Sequence, residues 1–189
     1  MLLTLSFFST VSAQGLNIGF GAGTELPRLE LGYSLNQRIH LGAYFSPGYK
    51  IIFNNPNSYG LFGRITFRKN EIMDNQFFTA SIRPYLGANI GILHRAAYED
   101  IYSLNSGGTV PAKTQFGGSI NGGAEILYGK KASYGTFLEG HIGQCSNIYQ
   151  TWFNNLNSAF GSGTPNTDKI ASVWGFLVGF RFYFNKSKE

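Results

Sequence analysis

The stretch Val178–Phe184, VGFRFYF, decides how the fold of this chain is to be interpreted. Aromatic side chains dominate it, yet the cation Arg181 stands between Phe180 and Phe182. Successive side chains of a β-strand point to opposite faces, so the two phenylalanines share one face while Arg181 lies on the other. The segment therefore predicts a strand with one apolar and one polar side.

The same alternation recurs along the chain, with no helical period. It predicts eight strands, at residues 16–22, 28–35, 38–45, 59–68, 77–95, 114–128, 133–149 and 170–184. Seven charged residues lie well inside these segments, and all of them fall on the face that carries glycine, serine and asparagine. They are Arg28, Glu30, Arg64, Arg83, Glu125, Glu139 and Arg181.

Composition indicates which face is outside. Charged residues make up 13% of the chain, about half of the roughly 25% usual in soluble domains. A soluble barrel with its apolar face inward would expose glycine, serine and asparagine with few charges, which is a poor surface in water. With the apolar face toward lipid, the charges pair inside and closure satisfies every backbone group.

We therefore predict an all-β fold, a closed antiparallel up-and-down transmembrane β-barrel of eight strands. A soluble eight-stranded barrel is the alternative fold. A ten-stranded barrel stays open as an alternative if one of the long loops contains a hairpin.

The ends and connections of the chain predict its orientation. Residues 1–13 are apolar and end in small side chains, which is typical of a secretory signal peptide. The barrel is expected over 14–184, followed by a short polar periplasmic tail at 185–189. The connections NQ, NEIMDN and GKKA are short to moderate and those near 47–57, 97–113 and 150–169 are longer, although TELP after the first strand is short. We expect periplasmic turns and extracellular loops.

The final strand also carries a family resemblance. Gly179, Phe182 and Phe184 resemble the glycine-x-x-aromatic-x-aromatic signal of the small eight-stranded outer-membrane barrels, the class of the outer membrane protein A transmembrane domain and outer membrane protein X. The resemblance implies export to the bacterial outer membrane, surrounding outer-membrane lipid, and recognition of these three residues by the barrel-assembly machinery. The family usually ends on the last aromatic, whereas five residues follow Phe184 here.

An eight-stranded barrel has an interior filled by side chains, and buried charges persist only when they are paired. We predict a lumen ion network of Arg28, Glu30, Arg64, Arg83, Glu125, Glu139, His141 and Arg181. The expected function is a non-enzymatic structural or surface-interaction role, in which the extracellular loops contact an unknown partner. The alternatives are a narrow small-solute channel and a lipid A-modifying hydrolase.

No catalytic, cofactor-binding or metal-binding residues are predicted. His40, His94 and His141 are scattered without metal-ligand spacing. A serine hydrolase would need a serine oxygen within reach of a histidine, but alternation predicts that His141 and Ser146 face opposite sides of the wall.

The net charge of +5 does not predict a nucleic-acid partner. The basic residues are spread over the turns, without stacking aromatics interleaved along a groove. The single Cys145 excludes an intramolecular disulfide, and we assign it no role.

Overall fold

A computed structural model describes the eight segments 15–24, 27–36, 38–48, 56–74, 78–99, 109–129, 133–145 and 172–185. The predicted signal peptide and residues 186–189 of the predicted tail lie outside these segments, so both remain predictions. No helix long and apolar enough to cross a membrane occurs within the described segments.

Eight long strands form the wall of a barrel. They are β1 Gly15–Gly23, β2 Arg28–Ser34, β3 Ile39–Ser46, β4 Asn57–Thr66, β6 Thr79–Arg95, β9 Lys113–Tyr128, β10 Tyr134–Cys145 and β11 Ser172–Asn185. Three short strands accompany them, namely β5 Asn70–Asp74, β7 Tyr98–Glu99 and β8 Thr109–Val110.

The wall closes on itself through antiparallel pairs. Each long strand pairs with the long strands before and after it in the chain, including β4 with β6. The first and last strands close the ring, with Gly15 opposite Asn185 and Gly23 opposite Leu177. The predicted closed, antiparallel, up-and-down, eight-stranded barrel is confirmed.

The two ends of the barrel differ in their connections. The turn end holds Gly15 and Asn185 and the connections 35–38, 75–78 and 129–133. The loop end holds the connections 24–27, 47–56, 96–112 and 146–171. Short and long connections therefore alternate as predicted, apart from the short first connection.

The prediction of NEIMDN as a turn is wrong, because most of it is strand. The backbone N–H of Phe67 donates to the carbonyl of Pro84 at 2.9 Å, and Asn70 of β5 lies opposite Ile82 of β6. Strand β5 thus continues the course of β4 along the same edge of β6. Without β5, the turn-end part of that edge would have unpaired backbone groups.

A hairpin does occur in the described part of the long connection 96–112, where β7 pairs with β8. These two strands form a sheet of their own and do not join the wall. The described strands therefore leave the barrel at eight, not ten.

The two faces of the wall differ as the alternation predicts. In β2, Arg28 is 1% exposed and its neighbour Leu29 is 46% exposed, and the pattern continues to Ser34. The outer face carries large apolar side chains such as Ile142, whereas arginine, glutamate, asparagine, serine and histidine are buried inside. The alternative of a soluble barrel with an apolar interior is therefore wrong.

Candidate functional site

The centre of the lumen holds two arginines and two glutamates in mutual contact, which we call the central cluster: Arg64, Arg181, Glu30 and Glu139. Arg64 binds Glu30 with two nitrogens, Nη2 to Oε1 at 2.6 Å and Nη1 to Oε2 at 3.0 Å. Its Nε donates to Glu139 at 3.0 Å. Arg181 donates to Glu30 at 3.1 Å and to Glu139 at 3.3 Å. Each guanidinium therefore contacts both carboxylates.

The strand register explains part of this arrangement. Gly19 of β1 lies between Glu30 of β2 and Arg181 of β11. A Cβ at Gly19 would lie 3.0 Å from Glu30 Oε2 and 3.3 Å from Arg181 Cγ. The absence of a side chain at Gly19 is what allows Glu30 and Arg181, on either side of it, to meet.

We expect Gly19→Val to lower the free energy of unfolding by about 1–3 kcal/mol, because a branched side chain overpacks this position. Gly140→Val is the matched control, since a Cβ there faces outward and meets only Gly122 O, at 3.9 Å. The measurement is urea unfolding of the purified barrel in detergent. Equal losses from the two variants would contradict close packing at Gly19.

Toward the loop end the network continues through four residues, the loop-side cluster: Arg28, Asn89, Ser119 and His141. Arg28 Nη2 donates to Asn89 Oδ1 at 3.3 Å, and the Asn89 amide lies 3.3 Å from Ser119 Oγ and 3.2 Å from His141 Nδ1. Two contacts join this group to the central cluster, Arg28 to Glu30 at 3.2 Å and His141 to Glu139 at 3.1 Å.

Toward the turn end lies a separate group, the turn-side cluster of Arg83, Glu125 and Tyr183. Arg83 Nη2 contacts Glu125 Oε2 at 2.7 Å. The Tyr183 hydroxyl lies 2.6 Å from Glu125 Oε1 and 2.8 Å from Arg83 Nη2. Among these three residues the positive and negative charges balance.

Aromatic rings complete the packing of the lumen. Each of four arginines lies over the face of a ring, which adds a cation–π attraction to its ion pairs. The distances to the ring centroids are 3.8 Å for Arg181 over Phe137, 4.1 Å for Arg64 over Phe62, 4.1 Å for Arg28 over Tyr44 and 5.1 Å for Arg83 over Tyr183. An arginine therefore stacks on an aromatic ring at four places in the lumen.

The structure brings the eight residues of the predicted ion network into this lumen. Four form the central cluster, two belong to the loop-side cluster and two to the turn-side cluster. The prediction did not include Tyr44, Phe62, Tyr85, Phe137, His40 and Arg95, all of which are buried inside the wall. Their position in the alternation, on the same face as the charges, was the available signal.

The three residues of the predicted assembly signal lie on one strand but on two faces. Gly179 faces the lumen, where an added Cβ would meet Phe20 O and lie 2.9 Å from Phe137. Phe182 and Phe184 face outward and are about half exposed. Recognition of these residues by an assembly machinery stays a prediction.

The prediction that His141 and Ser146 face opposite sides of the wall stays a prediction. Strand β10 contains one extra residue between Ile142 and Cys145, at a bulge where Gly143 has a φ of +133°. A one-residue insertion reverses the face of every later residue in the strand. Counting from His141 therefore does not place Ser146, which lies outside the described residues.

Within the described residues, no group of three histidine, cysteine, aspartate or glutamate side chains is arranged to hold a metal ion. The carboxylates of the central and turn-side clusters are instead engaged by arginine.

The chain matches no protein-family profile and no curated protein. Among solved structures it is similar to the N-terminal β-barrel domain of Pseudomonas aeruginosa OprF, with a TM-score of 0.49 and 13% sequence identity over 92% of this chain and 98% of that one. It is also similar to Acinetobacter baumannii CarO2, with a TM-score of 0.33 and 12% identity over 92% of this chain and 100% of that one.

Proposed function

We propose that the chain is a bacterial outer-membrane β-barrel protein without catalytic activity, whose lumen is closed by its own side chains. The observation that carries the proposal is a closed wall with an apolar outside and a charged inside. Contiguous apolar patches on soluble monomers rarely exceed a few hundred Å², whereas here the apolar face runs around all eight strands. Lipid is the environment that fits such a surface.

The distribution of aromatic residues on the outer face supports the same proposal. Aromatic side chains of transmembrane barrels are enriched where the bilayer meets water. Near the turn end the exposed rings are Tyr33, Phe67, Phe78, Tyr134, Phe182 and Phe184. Near the loop end they are Phe45, Tyr59, Phe116, Trp174 and Phe176.

The filled lumen supports a structural or surface-interaction role over transport. The three clusters and their rings lie along the interior, and the central carboxylates of Glu30 and Glu139 are at most 3% exposed. Partners then act on the outside of the barrel. Lipid covers the wall, the assembly machinery acts on the last strand, and an extracellular partner contacts the loop end.

The test is expression with a functional export signal, followed by isolation of the outer-membrane fraction. We expect the protein in that fraction, with gel migration that changes on heating as the barrel unfolds. In planar bilayers the folded protein is expected to give no steady single-channel current. A soluble periplasmic product would contradict the membrane assignment, and a steady current would favour the small-solute channel.

Sidedness gives a second prediction. Protease added to intact cells is expected to cut within 97–113 or 150–169 and to leave the turn 129–132 uncut, because the long connections share one end of the barrel and that turn lies at the other. Permeabilised cells are the control in which Lys130 becomes accessible. Cleavage at Lys130 in intact cells would reverse the assigned orientation.

A further inference from the structure

We propose that the turn end of the barrel carries an interaction surface for the headgroup of an anionic phospholipid. We call this surface the cationic rim, and it consists of Arg38, Arg68 and Lys69. The surface rests on the proposed function, since it requires the barrel to lie in a membrane.

The backbone of β5 fixes the depth of this part of the turn end. Among the described strands, β5 pairs only with β6, so its other edge presents unpaired backbone N–H and C=O groups. Open sheet edges that face lipid do not occur within the hydrocarbon region of a membrane. Strand β5 therefore lies outside the hydrocarbon.

The side chains around β5 show that it does not stand far out in water either. Ile72 and Met73 are 57% and 49% exposed, and Phe67, which precedes β5, is 50% exposed on the outer face. The interface between hydrocarbon and water is where aromatic side chains of membrane proteins are enriched. That level suits both the polar edge and the apolar side chains, so residues 67–74 lie among the headgroups.

Three cations belong to this level of the barrel. The side chains of Arg38, Arg68 and Lys69 are all exposed. None of them forms an ion pair with another residue in the described part of the chain, whereas Arg64 and Arg83 in the lumen each contact a glutamate. The positive charge of the rim can therefore act on an anion outside the protein.

Strand pairing places two of these cations close together. The backbone N–H of Thr66 donates to the carbonyl of Arg38 at 2.7 Å, so Arg38 lies beside Thr66, and Arg68 follows two residues later. With adjacent strands about 4.8 Å apart and two residues advancing about 7 Å, the two Cα atoms are about 8 Å apart. Guanidinium groups bind phosphate through parallel N–H···O bonds, and two arginines at this spacing can hold one phosphate.

The two acidic residues of β5 are directed to the lumen side, because directly opposite residues of paired strands share a face. Glu71 lies opposite Ser81 of β6, which is 3% exposed and faces the lumen. Asp74 lies opposite Thr79 and accepts a hydrogen bond from its hydroxyl at 3.1 Å. The lipid side of the rim therefore keeps its positive charge.

An anionic phospholipid combines the two chemistries that this surface requires. Its acyl chains fit the apolar outer wall, where Ile39 lies opposite Ile65, and its phosphodiester meets the cations above. A zwitterionic phospholipid carries the same phosphate together with a cationic amine, which the rim repels. Each Lys or Arg close to an anionic membrane surface contributes about a fivefold preference.

Lipid retention measures this preference directly. The unmodified barrel is reconstituted in vesicles of phosphatidylglycerol and phosphatidylcholine in equal parts with identical acyl chains. It is then extracted in mild detergent, and the retained lipid is identified by native mass spectrometry. We expect phosphatidylglycerol to be enriched over phosphatidylcholine by at least about fivefold. Equal retention of the two lipids would overturn the proposal.

Variants locate the surface. The combined variant Arg38→Gln, Arg68→Gln and Lys69→Gln is expected to lose the enrichment, and each single variant is expected to lower it. Lys113→Gln, at the loop end, is the matched control and is expected to keep it. Enrichment that persists in the combined variant would contradict the assigned residues, and the single variants give the same comparison if the combined variant folds poorly.

Heat-modifiable migration on a gel separates this surface from the proposed function. The unmodified barrel is tested in vesicles of phosphatidylcholine alone and in the mixed vesicles. A folded band in both, without lipid preference, would refute the cationic rim and leave the membrane assignment intact. Failure to insert into either kind of vesicle would overturn both.

Discussion

Glu139→Ala is expected to lower the free energy of unfolding by about 3–5 kcal/mol, the usual cost of removing one partner from a buried ion pair. Glu139 is completely buried. It accepts hydrogen bonds from Arg64 at 3.0 Å and from Arg181 at 3.3 Å, and it contacts His141 at 3.1 Å. The variant leaves the guanidiniums of Arg28, Arg64 and Arg181 around the single carboxylate of Glu30.

Glu71→Ala is the matched control, because Glu71 is an exposed carboxylate in β5 at the turn end. Its removal is expected to change the free energy of unfolding by no more than about 1 kcal/mol. Urea titration of both variants in the same detergent, followed by tryptophan fluorescence, gives the comparison. Similar losses from the two variants would mean that the central cluster does not stabilise the barrel.

The second large effect is expected on the outer face. Phe182→Arg places a cation against lipid and is expected to destabilise the barrel by up to about 2–4 kcal/mol, less if Phe182 lies close to the interface. Phe182 is 49% exposed on the outer face of β11. Phe180→Arg, one step further from the turn end, is expected to cost more than Phe184→Arg, because the penalty grows with depth.

Insertion into vesicles and heat-modifiable migration on a gel measure this series. Deletion of residues 186–189 is the control, and the folded band is expected to persist because the apolar strand ends before them. Loss of the folded band on this deletion, together with its survival in Phe182→Arg, would contradict a lipid-facing end of β11.

Much of the fold was predictable because lipid and lumen impose opposite requirements on alternate residues. Arg181 between Phe180 and Phe182 is sufficient to indicate a two-sided strand, and seven further segments repeat the pattern. The course of β5 was not predictable in this way. Its sequence, NEIMD, is exposed throughout, so neither face is marked by burial and only pairing with β6 identifies it as a strand.

The lumen residues were predictable as a set, but their partners were not. Alternation places Glu30 and Arg181 inside. Their contact also requires that Gly19, which lies opposite both of them on the intervening strand β1, has no side chain. The rings of Phe62 and Phe137 share the polar face but look apolar in the sequence, so a search for charges passes over them. The bulge at Gly143 shows a further limit, because one extra residue shifts the pairing of β10 with β11 beyond Ile142.

The central cluster joins parts of the chain that are far apart in sequence. Arg181 and Glu30 are separated by 151 residues and Arg64 and Glu139 by 75. Such non-local contacts must first offset the entropy of loop closure, so we expect these two ion pairs to form late in folding. Interactions that are absent from the transition state affect the unfolding rate and leave the folding rate almost unchanged. We therefore expect these long-range ion pairs to slow the opening of the barrel, and the strand pairs between chain neighbours to govern how quickly it closes.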